Sequence, residues 1–147
     1  EQNAPSTAGE GQADSTILSL VSATTAKPHL YEVIFGSAAT PADQAFNLTL
    51  TRFTADGTAT SVTPQPLDPD DPASVVTGGS NHTAAPTYTA GADMLSVSLN
   101  QQATFRWVCP PEEGIILPAT ANNGIGLYFN VVSGGTALCE ATFHHAE

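Results

Sequence analysis

The clearest pattern in the chain runs from Ala45 to Thr54, where apolar and polar residues alternate strictly. Phe46, Leu48 and Leu50 share one side, with Arg52 at its end, and Asn47, Thr49 and Thr51 share the other. Successive side chains of an extended strand point to opposite faces, so this period of two predicts a half-buried β-strand. Similar alternation predicts strands at Ser15 to Val21, Leu30 to Phe35, Thr58 to Thr63, Pro86 to Ala90, Asp93 to Asn100, Gln101 to Cys109, Ile125 to Val132 and Thr136 to His145. In the last of these, Ala137, Cys139, Ala141 and Phe143 oppose Leu138, Glu140, Thr142 and His144. In Gln101 to Cys109, Phe105, Trp107 and Cys109 share a face, which makes Trp107 the core residue and Arg106 the surface one.

The breaks between these runs have their own chemistry. Proline cannot donate to a ladder, so Lys27-Pro28, Pro110-Pro111 and Pro118 interrupt strands. Gly36 to Ala45 reads as a loop with a helical turn after Pro41, and Ala73 to Ala85 as a loop rich in Ser, Gly and Asn. Asp56-Gly57 is a hairpin signal, predicting that Thr58 to Thr63 pairs back on the strand before it. Asn122-Asn123-Gly124 and Gly134-Gly135 are further turns, and Glu112-Glu113-Gly114 is a polar one. Pro64 to Pro72 contains four prolines and predicts an extended, solvated loop. Residues 1–14 have no periodicity and almost no apolar content, which predicts a flexible N-terminal arm ahead of a single domain at 15–147. Short strands joined by turns, with no convincing helix and no internal repeat, predict an all-β fold: an antiparallel β-sandwich, jelly-roll-like.

Composition narrows the function. A chain of 147 residues can bury a core as one domain without disulfides or metal. Fourteen acidic residues against three basic ones give a formal charge of −11. Lys27, Arg52 and Arg106 are scattered along the chain, so the sequence offers no basic patch for nucleic acid or an anionic membrane surface. Charged residues make up only 12%, and the balance of Ala, Thr, Ser and Gly suits uncharged strand faces or a surface covered in an assembly. Cys109 and Cys139 are too few for a disulfide scaffold; buried free thiols are the favoured reading and a bridge between adjacent strands the alternative. No apolar run approaches the ~18 residues of a membrane span. No leader segment shows at the start, and the missing initiator Met leaves room for a trimmed N-terminus.

Candidate chemistry is thin. His29, His82, His144 and His145 are present, but no Ser stands in a nucleophile elbow and Cys109 has no nearby His in sequence. His144 and His145 are adjacent on a strand, point to opposite faces and cannot chelate one ion as a pair. Asp68, Asp70 and Asp71 have oxygen ligands for Ca²⁺ but lack the glycine and distal Glu of a helix-loop site, so they read as a solvated loop. Glu112 and Glu113 sit too close together for a glycosidase pair. Asn47-Leu48-Thr49 and Asn81-His82-Thr83 match the glycosylation acceptor by chance. The expectation is no catalytic, cofactor-binding or metal-ligating residue, and no cofactor.

Four segments taken together resemble the head decoration (cement) proteins of tailed bacteriophages, notably those of cyanobacterial phages. They are YEVIFGSAATPADQAFNLTLTRFTADGTATSVTPQPLDPDDPAS, NHTAAPTYTA, LNQQATFRWVCPPEEGIILPATANNGIGL and VVSGGTAL, covering about Leu30 to Leu138. The family pattern usually has a basic residue after the first Gln of NQ, where this chain has Gln102. The resemblance implies a jelly-roll-like, non-enzymatic virion subunit. It would be assembled in the host cytoplasm and bound as a homotrimer to the major capsid protein on the outer surface of the head. The alternatives are a tail or baseplate structural module, and a carbohydrate-binding sandwich for host attachment.

Overall fold

The structure is a computed structural model that describes residues 2–11, 15–38, 40–110, 113–131 and 137–147. Its strands, in chain order, are β1 (Gln2–Gly11), β2 (Ser15–Val21), β3 (His29–Ser37), β4 (Ala45–Ala55), β5 (Thr58–Val62), β6 (Gln65–Pro66), β7 (Thr77–Ala84), β8 (Thr87–Asn100), β9 (Phe105–Val108), β10 (Ile115–Ile116), β11 (Gly124–Val131) and β12 (Ala137–Ala146). They form two antiparallel sheets. The first has the order β10-β3-β12-β1-β6, with β9 also paired to β3; the second has the order β5-β7-β2-β11-β4-β8.

Within these sheets lie two four-strand orders, β1-β12-β3-β9 and β2-β11-β4-β8. Counting these eight strands along the chain gives 1-8-3-6 and 2-7-4-5, the winding of a jelly roll. The remaining strands are additions: β7 and β5 extend the second sheet beyond β2, β6 adds to β1, and β10 shares the edge of β3 with β9. The all-β sandwich expected from the alternation is therefore observed, with jelly-roll order.

Alternation places the core as predicted. Leu48 and Leu50 of β4, Ile125 and Leu127 of β11, Val33 and Phe35 of β3, and Cys139, Ala141 and Phe143 of β12 are all buried between the sheets. Phe35, Phe46 and Phe129 form an aromatic triangle with centroid separations of 5.2, 6.1 and 5.0 Å. Truncating one such ring to Ala costs about 3–5 kcal/mol. Trp107 is half-buried and packs on this cluster, while Arg106 faces out.

Several local expectations are corrected. The segment read as an arm is strand β1 over Gln2–Gly11, paired with β12 and touching β6. Its pairing uses backbone N–H and C=O groups, which carry no trace in side-chain hydropathy; Glu1 and 12–14 lie outside the described residues. The Asp56-Gly57 signal does not make a hairpin. Both edges of β4 are taken by β11 and β8, and β5 pairs with β7 instead. Gly57 serves a close approach, since a Cβ there would lie 1.8 Å from the Ala84 carbonyl oxygen. The loop expected at Ala73 to Ala85 contains β7, packed between β5 and β2. Gly79 allows this, because a Cβ there would stand 2.7 Å from Ser19 Oγ.

Pro86 to Ala90 and Asp93 to Asn100 belong to one strand, β8, bent by bulges around Gly91 at φ +72°. The strand expected from Gln101 shortens to β9, because Gln101 leaves the sheet. Its Oε1 accepts from Ala42 N–H and its backbone carbonyl from Ser37 Oγ, and that region holds no helical turn after Pro41. Gln65–Pro66 pairs briefly with β1, and the proline-rich loop is exposed without a break from Leu67 to Ala73. Val132, Thr136 and the Gly134-Gly135 turn lie outside the described residues.

Candidate functional site

Three places on the surface combine chemically distinctive side chains. The first is the outer face of the β1-β12-β3-β9 sheet. Register sets Glu32 of β3 beside His144 of β12 and Val108 of β9, and sets Ile34 beside Arg106. His144 Nδ1–H donates to Glu32 Oε2 at 2.5 Å, and Arg106 Nε–H donates to Glu32 Oε1. The hydrogen bond from His144 holds the Glu32 carboxyl below the usual carboxylate range, with burial opposing it and Arg106 adding to it. Tyr31 stacks on the His144 ring at 6.2 Å. Ile34, Val108 and Leu138 stand exposed on the same face.

The two histidines are neighbours on β12 and point to opposite faces, with a register shift against β3 at that point. His145 is buried, with Nε2 3.2 Å from Glu147 Oε1 and Nδ1 without a partner among the described residues. Burial lowers the His145 pKa, against the pull of Glu147. Burial also pushes the Glu147 carboxyl upward, but the hydrogen bonds from Ser74 Oγ, Val75 N–H and His145 outweigh it and hold the group low. The pair of histidines expected to be a polar chain end is therefore one surface residue and one core residue.

The second place is the outer face of the β2-β11-β4-β8 sheet. Tyr88 and Tyr128, distant in sequence, meet at 5.9 Å, edge to face. Gly126 makes this arrangement fit: a Cβ there would lie 2.9 Å from the Tyr88 hydroxyl and 3.3 Å from Thr16 Cγ2. Tyr88 Oη and Thr16 Oγ1 share a short hydrogen bond, and burial pushes the Tyr88 phenol up to about 12. Thr49 and Ser96 continue the row from Tyr128, and Asn47 accepts from Ser98 one row further on. Below Thr16, His82 is tied at both ring nitrogens: Nδ1 is 3.1 Å from the Thr16 carbonyl oxygen and Nε2 is 3.1 Å from Asp56 Oδ1. Both partners, a carbonyl and a carboxylate oxygen, are acceptors.

The third place is an open depression at one end of the sandwich, with a volume of about 530 Å³. Lys27, Arg52 and residues 116–120 line it. Leu117 is buried beneath it, held by its N–H to the Pro28 carbonyl oxygen. Arg52 pairs with Ile125 in register and so continues the inward face of β4 to the point where the core opens. Two of the three Lys and Arg residues thus come together, which corrects the reading that they are scattered. The sequence signal was there: Arg52 ends an apolar face, where its stem packs and its head emerges.

His82 touches a carbonyl and a carboxylate, and His144 a carboxylate; neither addresses a hydroxyl or thiol. Neither cysteine is in a disulfide; burial raises the Cys109 thiol, with Glu113 adding to it, and pushes Cys139 up to about 12. A thiol so placed is a poor nucleophile at neutral pH. Cys139 pairs with Ser37 and Cys109 lies at Tyr31, six positions back along β3, or about 20 Å. Among the described residues, no three His, Cys, Asp or Glu side chains gather as a metal site. Asp68 Oδ1 accepts from Asp70 N–H within its own turn. Glu113 is exposed and Glu112 lies outside the described residues. Among the described residues no helix is long and apolar enough to cross a membrane. Comparison with protein-family models, curated proteins and solved structures finds no match to this chain.

Proposed function

We propose that this chain is a non-enzymatic virion subunit, a bacteriophage head decoration protein. In this reading it binds the major capsid protein on the outer surface of the shell as a homotrimer and reinforces junctions between capsomers. The observation that carries the reading is a jelly roll whose outer face exposes Ile34 and Val108 beside a paired charge cluster, with Leu138 exposed further along the same face. Such a face suits docking on protein, because the Glu32, His144 and Arg106 charges are paired with one another and apolar side chains are exposed beside them. The low content of charge and the four quoted segments support the same reading. Many copies, each burying modest area, stabilise a shell by mass action.

The test is co-sedimentation with undecorated heads. Saturable binding and a raised temperature of head disruption are expected, and Val108→Asp should weaken both. Absence from purified heads by immuno-electron microscopy, with label on the tail or baseplate, would replace this reading with a tail module.

One observation favours a second reading. Tyr88 and Tyr128 lie together on a face that also carries Thr49, Ser96, Ser98 and Asn47, groups that suit stacking on sugar rings and hydrogen-bonding their hydroxyls. A chain of charge −11 would select neutral glycans. A glycan array decides it: specific retention lost in Tyr128→Ala supports the sugar site, and no retention removes it.

A further inference from the structure

We infer that the Lys27–Arg52 depression receives the acidic 67–71 loop of a second copy of this chain. The inference deepens the trimer reading above by naming the contact between copies.

Lys27 is exposed and Arg52 half-buried, and among the described residues neither is paired with a carboxylate. In a chain of charge −11, two of the three cations thus line a depression whose apolar side is Ile116, itself 46% exposed. The loop has the complementary chemistry. Leu67 is 50% exposed, and Asp68, Pro69 and Asp70 follow it on the surface. The turn is already shaped, since Asp70 N–H donates to Asp68 Oδ1 and Asp71 N–H to the Asp68 carbonyl oxygen. Little ordering remains to oppose association. Leu67 would meet Ile116, and the carboxylates would meet Lys27 and Arg52.

Val21 pairs with Thr77 on one side and with Gly124 on the other, and Gly124 pairs with Phe53. The loop entering β7 and the depression beside Arg52 therefore lie at the same end of the sandwich. β7 and β4 are three strand spacings apart in the sheet order, or about 14 Å, so the loop and the depression are separate patches at one end. A contact between unlike patches is heterologous, and repeated about an axis it closes a ring where the rotation allows. Each contact is small, and closure makes them cooperative.

The experiment is native mass spectrometry with sedimentation velocity on the full chain, at low and high salt. The wild type is expected to form a closed oligomer that loosens as salt rises. Lys27→Glu with Arg52→Glu, and separately Asp68→Lys with Asp70→Lys, should each weaken association at least about tenfold. The fourfold variant carrying both exchanges should reassociate, a rescue that a folding defect would not give. Leu67→Asp, which leaves the depression untouched, should also dissociate the oligomer. A monomeric wild type, or an oligomer indifferent to all of these changes, overturns the inference. Head co-sedimentation of the same variants separates the outcomes: binding by a monomer leaves the decoration reading standing without this contact.

Discussion

The two sheets of this jelly roll solve the same problem with different chemistry. The β1-β12-β3-β9 sheet gathers Glu32, His144 and Arg106 on its outer face and ties three strands through one carboxylate. The β2-β11-β4-β8 sheet carries Tyr88 over Gly126 and bonds it to Thr16, joining its strands with little charge. One face is held by a network that acid can dissolve; the other is held mainly by packing. A chain with few charges has concentrated its cations where they have work: Arg106 in the network, Lys27 and Arg52 at the open end of the sandwich.

Mutations can break this contrast. The largest loss should come from Gly124→Ala in β11, because the added carbon would lie 2.2 Å from the Leu20 carbonyl oxygen and 2.4 Å from the Phe53 ring. Backbone on one side and a buried ring on the other cannot both yield. Urea unfolding should show a loss above about 3 kcal/mol.

Next comes Glu32→Gln, which leaves His144 and Arg106 without their carboxylate. The loss should be about 1–2 kcal/mol, most of it from the His144 contact, since the Arg106 side chain is 66% exposed and its share is screened by solvent. The variant should also change the acid limb. A carboxyl depressed below 4.5 in the folded state contributes stability that is complete above that value and lost as pH falls through the lower folded one. Thermal melts of Glu32→Gln should therefore lose less stability on acidification than the wild type.

His145 acts in a higher window. Its pKa is lowered from 6.5, so the neutral ring is favoured by folding. Stability should be complete above 6.5 and decline as pH falls from there toward the folded value. Melts of His145→Gln should be flatter across that window, and an unchanged slope would show that the buried ring does not titrate there.

Tyr88→Phe should cost about 1 kcal/mol, for the hydrogen bond to Thr16. A change of similar size is expected for Tyr128→Ser, where the half-buried edge-to-face contact with Tyr88 is lost, about 0.5–1.5 kcal/mol. If Tyr128→Ser instead proved as damaging as Gly124→Ala, the view of this face as a packed but dispensable surface would fail.

Alternation by itself determined the fold class and most of the inward face. Phe46, Leu48, Leu50, Cys139, Ala141 and Phe143 follow the period of two because a strand offers water only one side. The same rule separated His144 from His145 and Trp107 from Arg106. Which strands pair was decided only in three dimensions. Backbone hydrogen bonds are indifferent to side-chain type, so β1 could be a strand with hardly an apolar residue, and β5 could leave β4 for β7. Glycines that read as turn signals, Gly57 and Gly79, were places where another backbone or side chain passes too close for a Cβ. The candidate surfaces were hidden for the same reason. Tyr88 with Tyr128, and Lys27 with Arg52, are brought together by strand order, and strand order is a property of long-range pairing that no local spacing encodes.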